Sequence, residues 1–237
     1  MRRRLARLHS RRRLSVRGVP QGAPAMAFSD FTLESATRAL GVSVREADLF
    51  PALAPAAVPG WLPGWLARGT RLALISEKAR SEFIVVPILL AARELCGDRV
   101  AIFSGQRLDV DAARGLAGEC DFLLALGPPV PPLRSPIAAV VEAKKNDVEA
   151  GLGQCIAQMV AARAFNEAAG RTGAPLYGCV TTGESWQFLR LAGDAAELDG
   201  RRLYLDNVAG VLGALLAIVA EAERHADPGR VSSGGGS

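Results

Sequence analysis

Histidine is nearly missing from this chain: the two present, His9 and His225, lie near its ends. Ser-His-Asp and Cys-His catalytic arrangements need an imidazole inside the fold, so neither is expected. Cysteine is also scarce. Cys96, Cys120, Cys155 and Cys179 are too far apart for a Cys-x-x-Cys motif, which with the lack of histidine argues against a zinc site. All four sit in apolar or Gly-rich neighbourhoods, so they are expected to be reduced packing residues, as fits a cytoplasmic protein. No apolar run approaches the roughly 18 residues of a membrane span. Ile84–Ala92 and Val208–Ala220 read instead as core helices.

Charge of one sign is unevenly placed. The chain has 237 residues and a formal net charge of +4. Its first 25 residues hold eight Arg and no acid, which leaves 20 basic against 24 acidic residues from Met26 onward, a net of −4. The basicity therefore belongs to the tail. That tail would add non-specific phosphate affinity, act as a transit-like segment, or precede a true start at Met26. The last reading is favoured, because Gly18–Pro24 is a Gly/Pro breaker and helical patterning follows Met26. The 49% hydrophobic and 22% charged residues are those of a globular chain, not a disordered one.

Thr32–Gly41 reads as a short helix stopped by Gly41. Pro51, Pro55, Pro59 and Pro63 then forbid a regular helix, and the interleaved Trp61 and Trp65 are expected to tuck against the body or to form a partner surface, the first being commoner. Residues 26–69 are thus a helical and Pro/Trp-rich segment, 70–226 the main domain, and 227–237 a flexible Gly/Ser end. Ile75–Cys96 has helical periodicity, with a kink or break expected at Pro87. Val100–Ser104, Cys120–Leu126 and Ile137–Lys144 read as strands, the last two apolar enough for burial on both faces. Gly153–Ala169 is a helix, Leu176–Thr181 and Ser185–Leu191 form a hairpin, and Asp206–Arg224 is a closing helix. The expected class is α/β, a central mixed sheet flanked by helices. Trp186 and Phe188 share a strand face and are expected in the core, while Asp109, Asp111 and Asp147 are expected in exposed loops.

The chemically unusual feature is charge at the end of a buried strand. Alternation puts Val140, Glu142 and Lys144 on one face, and a strand leaving a core on a carboxylate and an ammonium needs compensation. If Cys120–Leu126 and Ile137–Lys144 pair through the Pro-rich turn Pro128–Pro136, Asp121 approaches Glu142. Two such carboxylates repel, and a hard cation relieves them, with the Ala143 carbonyl as a further oxygen ligand. Lys144 reaches the same side, where it would position or deprotonate a water for attack on a phosphate.

Asp121 followed by Glu142-Ala143-Lys144 resembles the PD-(D/E)XK nuclease superfamily. The stretch Ser76-Glu77-Lys78-Ala79-Arg80-Ser81-Glu82 resembles the acidic first helix of these nucleases, particularly those of type I restriction motor subunits. Gly151-Leu152-Gly153-Gln154 is similar to the glutamine-bearing start of their following helix. Val180-Thr181-Thr182-Gly183 with Trp186 and Phe188 resembles a strand pair in uncharacterised stand-alone bacterial members. The resemblance covers roughly Thr70 to Arg224. It implies a restriction-endonuclease-like core that hydrolyses nucleic acid, most readily DNA, with Mg²⁺ or Mn²⁺. Asp121, Glu142, Glu82 and the Ala143 carbonyl would serve the metal, and Lys144 and Gln154 would be catalytic. A homodimer is common in this fold. Cys120 stands where the family often has Pro. Gln158 stands where one branch has Tyr, which puts membership of that branch in question.

Helical phase at 100° per residue places Glu82 beside Ile75, Val86 and Leu89 on the apolar face, and Glu77 on the far side, so Glu82 is the chosen first-helix acid with Glu77 in reserve. Two other readings stay open: the same fold as a silent nucleic-acid- or protein-binding module, and an interaction subunit working through Pro51–Leu66. For Gln154, a helix-start hydrogen bond is nearly as good a reading as a catalytic contact.

Overall fold

The computed structural model describes residues 26–73 and 75–226; the Arg-rich tail and the Gly/Ser end lie outside them. The protein is α/β, built on one mixed sheet of eight strands in the order β1-β7-β6-β5-β4-β3-β2, with β8 pairing β6. The strands are β1 (Ser43–Ala47), β2 (Val100–Asp111), β3 (Leu116–Leu126), β4 (Ile137–Ala143), β5 (Leu176–Thr181), β6 (Ser185–Ala192), β7 (Ala195–Asp199) and β8 (Leu203–Tyr204). The helices are α1 (Leu33–Leu40), α2 (Leu62–Ala73), α3 (Glu77–Arg80), α4 (Val86–Leu95), α5 (Leu152–Ala168) and α6 (Val208–Ala226).

Two apolar layers enclose the sheet. On one side Phe28 and Phe31 pack with α5 residues such as Ile156 and Met159 against Val140 and Leu123. On the other, Trp186, Phe188, Val141 and Phe122 meet Ile88 of α4 and Leu212 and Leu215 of α6. All seven residues of β4 are buried, as its unbroken apolar run demands. It pairs antiparallel with β3 and parallel with β5, with α5 as the crossover between β4 and β5. Trp186 and Phe188 are core residues, and the four cysteines are free and buried, both as expected. Helix α1 follows its signals closely: Thr32 caps its start, and Gly41 ends it in the left-handed region at φ 68°.

Several expectations need correction. Strand β2 runs on through Gly105 to Asp111, so Asp109 and Asp111 lie in a strand, paired with β3 residues Ala117 and Leu116, and not in a loop. Charged residues alternate along that outer half and hid it. The solvent-exposed β1 and the short β7, whose Glu197 and Asp199 are buried, are further strands that the sequence did not announce, and they pair in parallel, with β1 at the sheet edge. The expected division at residue 70 runs through α2, a helix that the prolines were thought to forbid. Pro63 sits in its first turn, where no intrahelical N–H is required. Leu62 and Leu66 fill the core there, whereas Trp61 and Trp65 stay exposed. Helix α6 with its lead-in, Leu205–Ala226, is long and apolar enough by length and composition to cross a membrane, contrary to the count from sequence. Its Val211, Leu215, Ile218 and Val219 are nonetheless packed in the core.

The segment from Glu77 to Leu95 continues through Pro87 by means of a π-helical turn, Ser81–Val85, in which the Val86 N–H bonds to Ser81 O. Pro87 has no N–H to give to the Phe83 carbonyl. Helix α2 crosses at that carbonyl through Gly69, where a Cβ would stand 2.3 Å from Phe83 O. Gly69→Ala is therefore expected to destabilise the protein by about 1–3 kcal/mol or more through overpacking. Gly64→Ala in the same helix, where a Cβ meets nothing within 4 Å, should gain about 0.5–1 kcal/mol. Urea denaturation of the two variants checks the contrast; equal effects would disprove the close crossing.

Candidate metal centre and active site

The β3–β4 register pairs Phe122 with Val141, which makes Asp121 and Glu142 the next residues facing each other across the ladder. The Asp121 carboxylate caps the end of β4: its Oδ2 accepts a hydrogen bond from the Ala143 N–H at 2.8 Å. Alternation carries Glu142 to the α5 side of the sheet, where it is only 2% exposed. There Lys144 Nζ donates to Glu142 Oε1 at 2.6 Å and to Gln154 Oε1 at 2.9 Å. Gln154 thus holds the lysine and does not cap its own helix. Gly151 makes room for this arrangement, since a Cβ there would come within 2.6 Å of Val180 and 3.1 Å of the Lys144 stem. The Lys144 N–H continues the parallel ladder to Thr181 O, which fixes the start of the side chain.

One functional residue had been noted only as a departure. Gln158 is fully buried, and its Nε2 donates to Glu142 Oε2 at 2.8 Å. Its Oε1 is buried without a partner. The signal was present in the sequence: Gln158 lies one helical turn beyond Gln154, on the same face of α5.

The helical-phase argument for the first-helix acid needs correction. Ile75 is 76% exposed and precedes the helix, which starts after the Ser76 cap. The π-turn then shifts the phase beyond Arg80. The Glu82 side chain, expected on the buried face, is half-exposed and paired with Lys78 at 3.3 Å. Glu77 and Glu82 both line a cleft with Ser104, Gly105, Glu119 and Asp121. Of the two, Glu77 acts electrostatically on Asp121 and on Lys144. Behind the cleft, Arg80 is buried and donates to Thr182 O at 3.0 Å, tying this helix to the β5–β6 turn.

Burial dominates the titration of the site. It pushes Glu142 up to about 7, with the Asp121 charge adding to the effect and Lys144 and Gln158 opposing it. Asp121 is also raised by burial, against the Ala143 N–H and Lys144. Burial alone would lower Lys144, but Glu142, Glu77 and Asp121 hold its ammonium above its ordinary value. Desolvation also raises Cys120, to about 12, so it is an inert thiol beside the acids.

These donors are hard oxygens, and two carboxylates with a backbone carbonyl suit Mg²⁺, which commonly takes one or two carboxylates and keeps several waters. No group of three or more His, Cys, Asp or Glu side chains converges on a metal position among the described residues. The donor set therefore fits a two-carboxylate site, not the acidic triad expected with Glu82. No protein-family model, no curated protein and no solved structure matches this chain.

The elevated Glu142 has a direct consequence. A carboxyl whose folded-state affinity for its proton exceeds the unfolded one contributes stability that is complete below about pH 4.5 and is lost as pH rises through about 7. Asp121 acts in the same direction, while Lys144 titrates far above this window. Without divalent metal the protein should lose roughly 1–3 kcal/mol between pH 5 and pH 8 from this cluster. Glu142→Gln should flatten that fall. Chemical denaturation in EDTA across the range checks it, and a parallel pH profile in the variant would refute the assignment.

Proposed function

We propose that this chain is a Mg²⁺-dependent phosphodiesterase acting on nucleic acid, most readily DNA, as the resemblance to PD-(D/E)XK nucleases implies. The observation that carries the reading is the convergence of Asp121, Glu142, Lys144 and Gln154 at one end of the β3–β4 pair. Structural ion pairs seldom require a second carboxylate facing a buried Glu-Lys pair.

Asp121, Glu142 and the Ala143 carbonyl would hold the cation, whose positive charge offsets the charge that develops on the phosphoryl oxygens. Glu142 would present its remaining lone pairs, since each oxygen accepts one hydrogen bond in the protein. Lys144 keeps its proton, so of its two expected roles it orients the attacking water as a donor and does not remove the water's proton. Gln154 and Glu142 hold that ammonium from two sides. Gln158 fixes the rotamer of Glu142 from beneath.

A binding module without turnover is the second reading. It is favoured by the engagement of both Glu142 oxygens and by the lack of a converging third acid among the described residues. Calorimetry with Mg²⁺ or Mn²⁺ separates them. The wild type should bind the ion with a pH-dependent rise in Tm, larger at pH 8 than at pH 5.5, because the carboxyls must first lose their protons. Asp121→Asn/Glu142→Gln should abolish both signals. Lys144→Ala should retain nucleic-acid binding and lose cleavage by roughly 10²-fold or more, the range for a preorganised electrostatic donor. Absence of cleavage in wild type and variant alike would leave the binding module.

A further inference from the structure

Helix α2 carries two stripes. Leu62, Leu66, Gly69 and Ala73 face the core. About 100° round the axis, Trp61, Trp65, Arg68 and Leu72 form a second stripe at spacings of three and four, which solvent reaches. Trp61 is 41% exposed, Trp65 50% and Leu72 49%, and Ile75, beyond the end of α2, is 76% exposed. The Trp65 N–H bonds to Trp61 O, so the first tryptophan belongs to the same helical ladder. Contiguous exposure of two indoles and two aliphatic residues marks an interaction surface, not scattered surface hydrophobicity.

Charge says what this surface takes. From Pro51 to Ser76 there is no acidic residue, in a body that carries a net −4 from Met26 onward. The charges within that stretch are Arg68 and Arg71, both exposed and in no ion pair among the described residues. A second copy docking through a two-fold axis would bring these arginines together, and the carboxylate bonded to the stripe, Glu94, is already engaged by the Trp61 indole N–H. A polyanion meets them favourably. Two aromatic side chains followed by two arginines, along roughly 17 Å of helix length from Trp61 to Leu72, make a stacking platform for unpaired bases with the phosphates on the guanidinium groups. Paired bases in a duplex hide the faces that stacking needs.

Placement links the platform to the cleft. Helix α2 ends at Ala73, and the chain enters α3 at the Ser76 cap, one residue before Glu77 of the cleft. Gly69 seats α2 directly on the Phe83 carbonyl, so the platform packs against the helical segment that bears Glu77 and Glu82 of the cleft. The Trp61 indole N–H donates to Glu94 of α4 at 2.8 Å, which holds that ring in place before any ligand arrives.

We infer that α2 binds single-stranded nucleic acid by stacking bases on Trp61 and Trp65 and pairing phosphates with Arg68 and Arg71, and so feeds a single strand into the cleft. The inference rests on the nucleic-acid reading of the site, but its test does not need catalysis. Short oligo(dT) is titrated into the full chain in EDTA and binding is read by intrinsic fluorescence, because Trp186 is buried and the two exposed tryptophans would report. The expected result is quenching by the single strand at low salt, weaker binding of a duplex of equal length, and loss of roughly five- to hundredfold affinity in Trp65→Ala. Arg68→Ala should weaken binding and reduce its salt dependence. Oligo(dT) binding in EDTA is read without turnover, so a failed nuclease assay leaves the platform standing. Oligo(dT) affinity unchanged in both Trp65→Ala and Arg68→Ala overturns the platform while leaving any Mg²⁺-dependent cleavage intact. So does a wild-type dimer that Trp65→Ala converts to a monomer with oligo(dT) affinity unchanged, since a second copy would then occupy the surface.

Discussion

A carboxylate with 2% of its surface exposed is costly to ionise, and the end of β4 is organised around that fact. Glu142 is made tolerable by one ammonium and one amide, and burial still pushes its proton affinity up to about 7. Its neighbours serve the same need. Gly151 leaves space for the Lys144 stem, Gln154 fixes the ammonium, and the Asp121 carboxylate closes the strand end by accepting the Ala143 N–H. A fold seeking stability alone would place a hydrophobic residue at this position, since replacing a buried ion pair by apolar packing is often neutral or favourable. The compensation is incomplete, with an orphaned Gln158 oxygen and two elevated carboxyls side by side, and the two carboxyls are the electrostatic ground on which the metal site is proposed.

The site draws on four separate stretches of chain, brought together by topology. Antiparallel pairing of β3 with β4 supplies the facing acids, and the parallel β4–β5 crossover supplies α5 with both glutamines. The helical segment from Glu77 closes the cleft from the far side of β3. Its orientation depends on two backbone events, the π-turn before Pro87 and the Arg80 bond to the β5–β6 turn. Gly183 of that turn, at φ 81°, packs against Ile84, so the turn and the helix constrain each other. Helix α2 is then seated on the π-turn by Gly69. A change in that crossing would move both the cleft wall and the tryptophan surface.

Much of this was legible along the chain. The seven-residue apolar run of β4 announced burial on both faces, and its charged end announced a need for compensation. The Pro-rich turn between β3 and β4 correctly implied a hairpin that sets Asp121 against Glu142. Thr32, Gly41, the β5–β6 turn and the core positions of Trp186 and Phe188 followed from local chemistry. The edge strand β1 and the outer half of β2 did not, because exposed strands carry the same polar residues as loops. Nor did β7, whose five residues are a short run with two acids, Glu197 and Asp199, that are buried only by tertiary pairing.

What the sequence by itself determined is therefore the α/β class, the central strands and the charged pair that ends one of them, since burial on two faces leaves a continuous apolar signature and local turn residues fix the pairing. Tertiary structure alone decided that Glu77 and Glu82 both reach the cleft, which glutamine carries Glu142 and which face of α2 meets solvent. The reason is physical. A π-turn inserts a residue that no fixed helical period foresees, a side chain's partner across α5 depends on how deep the helix seats against the sheet, and two prolines beside two tryptophans look the same whether the indoles turn inward or outward.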